Sequence, residues 1–76
     1  MTPLATSTRY HGDTIDLIAI GRYLDQDQPL PELSGAEQEY AARLMIRDGA
    51  STATAAARLG VSDRTVTRWR HAWAAA

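Results

Sequence analysis

The chain has no cysteine, no lysine, no asparagine and no phenylalanine among its 76 residues. Without cysteine there is no disulfide, no thiolate nucleophile and no cysteine-based zinc finger. His11 and His71 are the only imidazoles, so a metal site would have to be mostly carboxylate, and no metal is expected. Apolar runs are short as well. None approaches the roughly 20 residues that a membrane-crossing helix needs, and the opening MTPLATSTRY lacks the apolar centre of a signal peptide. A soluble, cytoplasmic protein is therefore expected. There is also no glycine-rich phosphate loop, no nucleophile with a suitable base and no constellation of acids, so neither an enzyme nor a cofactor is expected.

What is present is divided by charge. Residues 1–39 set Arg9 and Arg22 against Asp13, Asp16, Asp25, Asp27, Glu32, Glu37 and Glu39, a balance of −5. Residues 40–76 set Arg43, Arg47, Arg58, Arg64, Arg68 and Arg70 against Asp48 and Asp63, a balance of +4. The net charge of −1 conceals this asymmetry, and positive charge gathered in one half points to a polyanionic partner. A chain this short buries only about 60% of its unfolded surface, so a bound partner would add to its stability.

The most informative stretch is Ser51 to Trp73, STATAAARLGVSDRTVTRWRHAW. Ser51 is placed to cap a first helix, in which Ala53, Ala55, Ala56 and Ala57 allow a close helix crossing. Gly60 suits the left-handed position just past that helix, and Ser62 can cap the next by accepting from the backbone N–H of Arg64 or Thr65. Two helices joined by a tight turn are the result. On a wheel of about 100° per residue, Val66, Trp69 and Trp73 fall on one side of the second helix, and Arg64, Thr67, Arg68 and His71 on the other. An apolar stripe is common to surface helices, but the polar one carries guanidiniums, a hydroxyl and an imidazole. Its only acid, Asp63, lies in the first turn, where the helix dipole favours it. Arginine can grip guanine with two bonds, threonine offers a hydroxyl and a methyl, and phosphates attract any cation.

Thr52 through His71, TATAAARLGVSDRTVTRWRH, resembles the core of the helix-turn-helix family of DNA-binding proteins. Ala56 stands at the family's small residue and Gly60 at its turn glycine. Leu59, Val61, Val66 and Trp69 stand at its buried positions. Small regulators of this kind, with VS-x-R-T-V-x-R-W-R at the second helix, are common in actinobacteria and their phages. The resemblance implies that Ser62, Asp63, Arg64, Thr67, Arg68 and His71 fall where the family contacts DNA.

The rest of the chain reads as a helical frame. Residues 1–12 have no apolar period and read as a flexible arm, whose Arg9, Tyr10 and His11 could reach DNA. Asp13 to Gln26 reads as a helix capped by Asp13 or Thr14, with Leu17, Ile20 and Leu24 on one stripe and Tyr23 beside it. Ile15 and Ile18 lie off that stripe, so this helix needs covering on two faces, and a strand over Ile15 to Ile20 competes with it. Pro29 and Pro31 make the following segment an extended connector, with Leu30 and Leu33 tucked inward. Ser34 and Glu37 form a capping box that opens a helix over 34–48, closed by Gly49, with Tyr40, Ala41, Leu44 and Met45 on its buried side. Arg43 and Arg47 lie on a separate line, available to phosphate or to pairing with Glu39.

The expectation is an all-α single helical domain over 13–76, with helices at 13–26, 34–48, 51–59 and 62–73. Its expected role is sequence-specific binding of double-stranded DNA in transcription regulation, with helix 63–73 in the major groove. Arg64, Thr67, Arg68 and His71 are expected to face that groove, with Arg70 and Ser62 on phosphates. A homodimer held by Leu17, Ile20, Tyr23 and Leu24 is expected too, since paired motifs read two half-sites. The alternative is a protein-interaction module whose apolar N-terminal helix binds another polypeptide, such as a transcription component.

Overall fold

The computed structural model of the chain describes residues 7–75. Among the described residues two strands and four helices follow in order: β1 (Ser7–Tyr10), β2 (Asp13–Asp16), α1 (Leu17–Leu24), α2 (Gly35–Arg47), α3 (Thr52–Leu59) and α4 (Asp63–Ala75). The chain divides into two compact units between Gln38 and Glu39, inside α2.

The all-α expectation is corrected in the first unit. Residues 1–6 of the expected arm lie outside the described residues, whereas Ser7–Tyr10 pairs antiparallel with Asp13–Asp16, Ser7 opposite Asp16 and Tyr10 opposite Asp13. His11 and Gly12 make the two-residue connection with φ of 51° and 84°. Positive φ at both positions matches the right-handed twist of the strands it joins. Ile15 is fully buried while Asp13, Thr14 and Asp16 are exposed, the alternation of a half-buried strand.

The helix expected over 13–26 is accordingly shorter, and its cap is Asp16. With φ −98° and ψ 107°, Asp16 ends β2 in extended backbone, and its Oδ1 accepts the N–H groups of Ile18 (3.0 Å) and Ala19 (3.1 Å). One carboxylate thus closes the strand and opens the helix. At the other end the N–H of Gln26 donates to Tyr23 and that of Asp27 to Arg22, both at 3.0 Å, while Gln26 itself sits at φ 58°. This is a Schellman closure with glutamine where glycine is usual. Gly21, in the middle of α1, has an ordinary helical backbone, and a Cβ built on it meets nothing within 4 Å. Leu30, expected to tuck inward, is 45% exposed.

Glu37 ties this unit together. Its Oε1 accepts the Ser34 N–H (2.9 Å) while Ser34 Oγ accepts the Glu37 N–H (3.2 Å), the expected capping box. Its Oε2 accepts the Asp16 N–H at 2.7 Å, joining the end of the hairpin to the first turn of α2. The second unit is built around small side chains: Ala41, Ala42 and Met45 of α2, Ala55, Ala56 and Leu59 of α3, and Val66 of α4 are buried. Met45 gives adaptable bulk among the alanines.

Replacing Glu37 by Ala removes two charge-assisted bonds at once and is expected to destabilise the chain by about 1–2 kcal/mol. Chemical denaturation monitored by circular dichroism reads this. An unchanged midpoint contradicts the dual role.

Candidate nucleic-acid interface

Two caps and one left-handed residue orient α4. Ser51 caps α3 through the Thr54 N–H (3.0 Å), and α3 ends at Gly60, whose φ is 70°. The Val61 N–H returns to the Ala56 carbonyl at 3.0 Å. Ser62 then caps α4: its Oγ accepts the Thr65 N–H at 3.1 Å and lies 3.0 Å from Thr65 Oγ1. The turn therefore fits the reading of Gly60 and Ser62, with helix bounds one or two residues from those expected. α3 packs on α4, and Val66 is the one fully buried side chain of α4 among the described residues.

With Val66 turned inward, the opposite stripe is turned out. Ser62, Asp63, Arg64, Thr67, Arg68, Arg70 and His71 are all exposed, while Trp69 and Trp73 are half-buried. Among the described residues, the side chains of Arg64 and Arg68 have no hydrogen-bond or ion-pair partner. Both guanidiniums keep all five of their N–H donors for an external acceptor. Thr67 lies beside Arg64 on the wheel, and His71 follows one turn on from it.

Arg70 is held differently. Its Nη1 donates to Thr52 Oγ1 at 2.7 Å, which fixes the guanidinium beside the start of α3 and leaves four N–H donors. The far end of α4 is fastened to α2. Trp73 Nε1 donates to Glu39 Oε2 at 3.0 Å, and the Arg43 guanidinium carbon stands 5.6 Å from the Trp73 ring centre. That distance is within cation–π range. Arg43 and Arg47 are both exposed, and with Tyr40 and Leu44 they line a shallow hollow of about 200 Å³ on α2. Arg47 Nε lies 3.8 Å from Asp48 Oδ1, a solvent-exposed pair of little energetic weight.

The residues anticipated for dimerisation separate. Ile20 is only 1% exposed, and Tyr23 and Leu24 are half-buried, so most of that stripe faces into the chain. Leu17 (36% exposed) and Ile18 (56% exposed) are what α1 presents outward. Among the described residues no group of His, Asp or Glu is placed to hold a metal ion, and no helix is long and apolar enough to cross a membrane. Thr52 and Glu39 were absent from the anticipated site. Both act through contacts 18 and 34 residues distant in sequence, for which a single sequence carries no local signal.

The family model of the homeodomain-like domain matches residues 37–76, just over half of the chain, taking in most of α2 and all of α3 and α4. No curated protein and no solved structure matches the chain.

Changing Trp73 to Phe keeps an aromatic ring under Arg43 and removes the donor to Glu39. The expected loss is about 1 kcal/mol, or roughly 4–8 °C in melting temperature. A melting curve that overlays the wild type contradicts the anchoring role.

Proposed function

The chain belongs to the homeodomain-like family of helix-turn-helix DNA-binding domains, and on that premise we propose that it is a sequence-specific double-stranded DNA-binding protein, a cytoplasmic transcriptional regulator that lays α4 in the major groove. The observation that carries this reading is the pair Arg64 and Arg68, exposed and with no side-chain partner among the described residues, on the side of α4 opposite buried Val66.

Each side chain then has a chemical task. Arg64 and Arg68 read guanine edges, Thr67 meets a thymine methyl or a base acceptor, and Asp63 accepts from a cytosine amino group. His71 extends the stripe with an imidazole that can donate to or accept from a base edge or a phosphate. Ser62 meets a phosphate at the start of α4, where unpaired backbone N–H groups and the helix dipole favour an anion. Arg70, already oriented by Thr52, reaches a flanking phosphate, and Arg43 and Arg47 supply further backbone contacts. The protein acts as a homodimer, so that two copies read half-sites about 34 Å apart. The exposure of Leu17 and Ile18 favours a second reading, in which α1 docks on another polypeptide such as a transcription component.

Binding to a pool of random duplexes across a salt series separates the two. A DNA binder with several phosphate contacts loses affinity by orders of magnitude between about 50 and 200 mM salt. No binding at either concentration contradicts the DNA reading and favours the protein module. Once a bound site is selected from the pool, Arg68→Ala is expected to cost about 1–3 kcal/mol and to relax one base preference. An unchanged binding motif contradicts the base-reading role.

A further inference from the structure

Four side chains on the first two turns of α4 fall into two rows. Asp63 and Thr67 stand four residues apart, as do Arg64 and Arg68, and on the wheel the two lines lie about 100° from each other. All four residues are exposed, and among the described residues none of their side chains has a hydrogen-bond or ion-pair partner. The rows differ in chemistry. A guanidinium only donates, a carboxylate only accepts, and a threonine hydroxyl does either. One line is therefore all donor, and the line beside it offers an acceptor at both positions.

A G·C pair shows the same division across the major groove. Guanine presents two acceptors, O6 and N7, and its cytosine presents a donor, the N4 amino group. Side chains about three residues apart on a groove-reading helix meet successive base pairs. Arg64 and Arg68 accordingly fall on neighbouring pairs, and Asp63 and Thr67 meet the same two pairs from the other strand.

We propose that the site this chain reads contains two consecutive G·C pairs with both guanines on one strand, a GG step opposite CC. Arg64 and Arg68 each take the O6 and N7 of one guanine, and Asp63 and Thr67 accept from the amino groups of the paired cytosines. This inference rests on the DNA reading of α4 and narrows the partner of Thr67 to a cytosine amino group. Exchanging guanine and cytosine within one pair brings guanine acceptors to Asp63 or Thr67 and an amino donor to an arginine. At Asp63 acceptor then faces acceptor, so the carboxylate selects the strand as well as the pair. Adenine in place of either guanine keeps N7 but turns the second acceptor into an amino donor.

Selection of bound sites from random duplexes by the full chain tests this, followed by affinity measurements on the selected site. The expected result is a GG step at two adjacent positions of strong preference. Reversing one of its pairs, which conserves base composition, is expected to weaken binding about tenfold or more. Arg64→Ala and Arg68→Ala are expected to relax preference at neighbouring positions. Asp63→Asn supplies a donor beside the acceptor, so the penalty for reversing the pair it faces is expected to fall at least about threefold, with a melting curve to show that the variant is folded. An acid serving the helix dipole alone would leave that penalty unmoved. A selected site without the GG step overturns the inference. So does a reversed pair bound as tightly as the original, a pair of arginine variants that relax positions further than one base pair apart, or an unmoved penalty in the folded Asp63→Asn chain. Each of these failures leaves sequence-specific DNA binding by α4 standing, whereas a wild type that selects no site removes both readings.

Discussion

A reversal of the chain between Leu59 and Asp63 determines what α4 can offer. Gly60 adopts φ 70°, a region where a Cβ is unfavourable, and this lets α3 end on bonds back to Ala56 and Ala57. Ser62 restarts the helix within two residues by capping through Thr65. Since Val66 is fully buried, the rotation of α4 about its own axis is set, and Arg64, Thr67, Arg68 and His71 are left on the open side. The second fixed point is the Trp73 indole on Glu39. A helix held near its start and its end presents its middle as a rigid edge, and rigid placement of a few polar groups is the requirement for reading base edges.

The arginines of the second unit divide by employment. Arg70 is bonded to Thr52, and Arg43 stands over Trp73, so both help to orient α4 as well as carrying charge. Arg64 and Arg68 have no such partners among the described residues. Exposed ion pairs contribute little to folding, so leaving these two unpaired costs the fold little while preserving their full charge for a polyanion. The separation of signs along the sequence serves the same end, because the acids that would neutralise the stripe are concentrated before residue 40.

The helix-turn-helix was legible because its determinants are local. Serines at 34, 51 and 62 mark three helix starts, Gly49 and Gly60 mark two ends, and a wheel sorts α4 into its two faces. The first unit was harder to read for equally physical reasons. Asp16 sits inside an apolar run and looks like a polar position on a longer helix, yet it is where extended backbone becomes helix. The strand that competed with the helix over Ile15 to Ile20 has its counterpart in β2, displaced to Asp13–Asp16. The turn before it uses His11 at positive φ, where asparagine or glycine is the usual signal, and Gln26 closes α1 in the same unexpected conformation. Ile20 is buried and Tyr23 and Leu24 are half-buried, and periodicity alone does not say which apolar face of α1 meets the rest of the chain.

The central claim is that the open edge of α4 carries the DNA contacts. Mapping backbone amide chemical shifts of the full chain as a selected duplex is added tests it most directly. The account predicts that the large perturbations gather between Ser62 and His71, with a smaller group at Thr52, Arg43 and Arg47. Perturbations confined to β1, β2 and α1, with Arg64, Thr67 and Arg68 unmoved, contradict it.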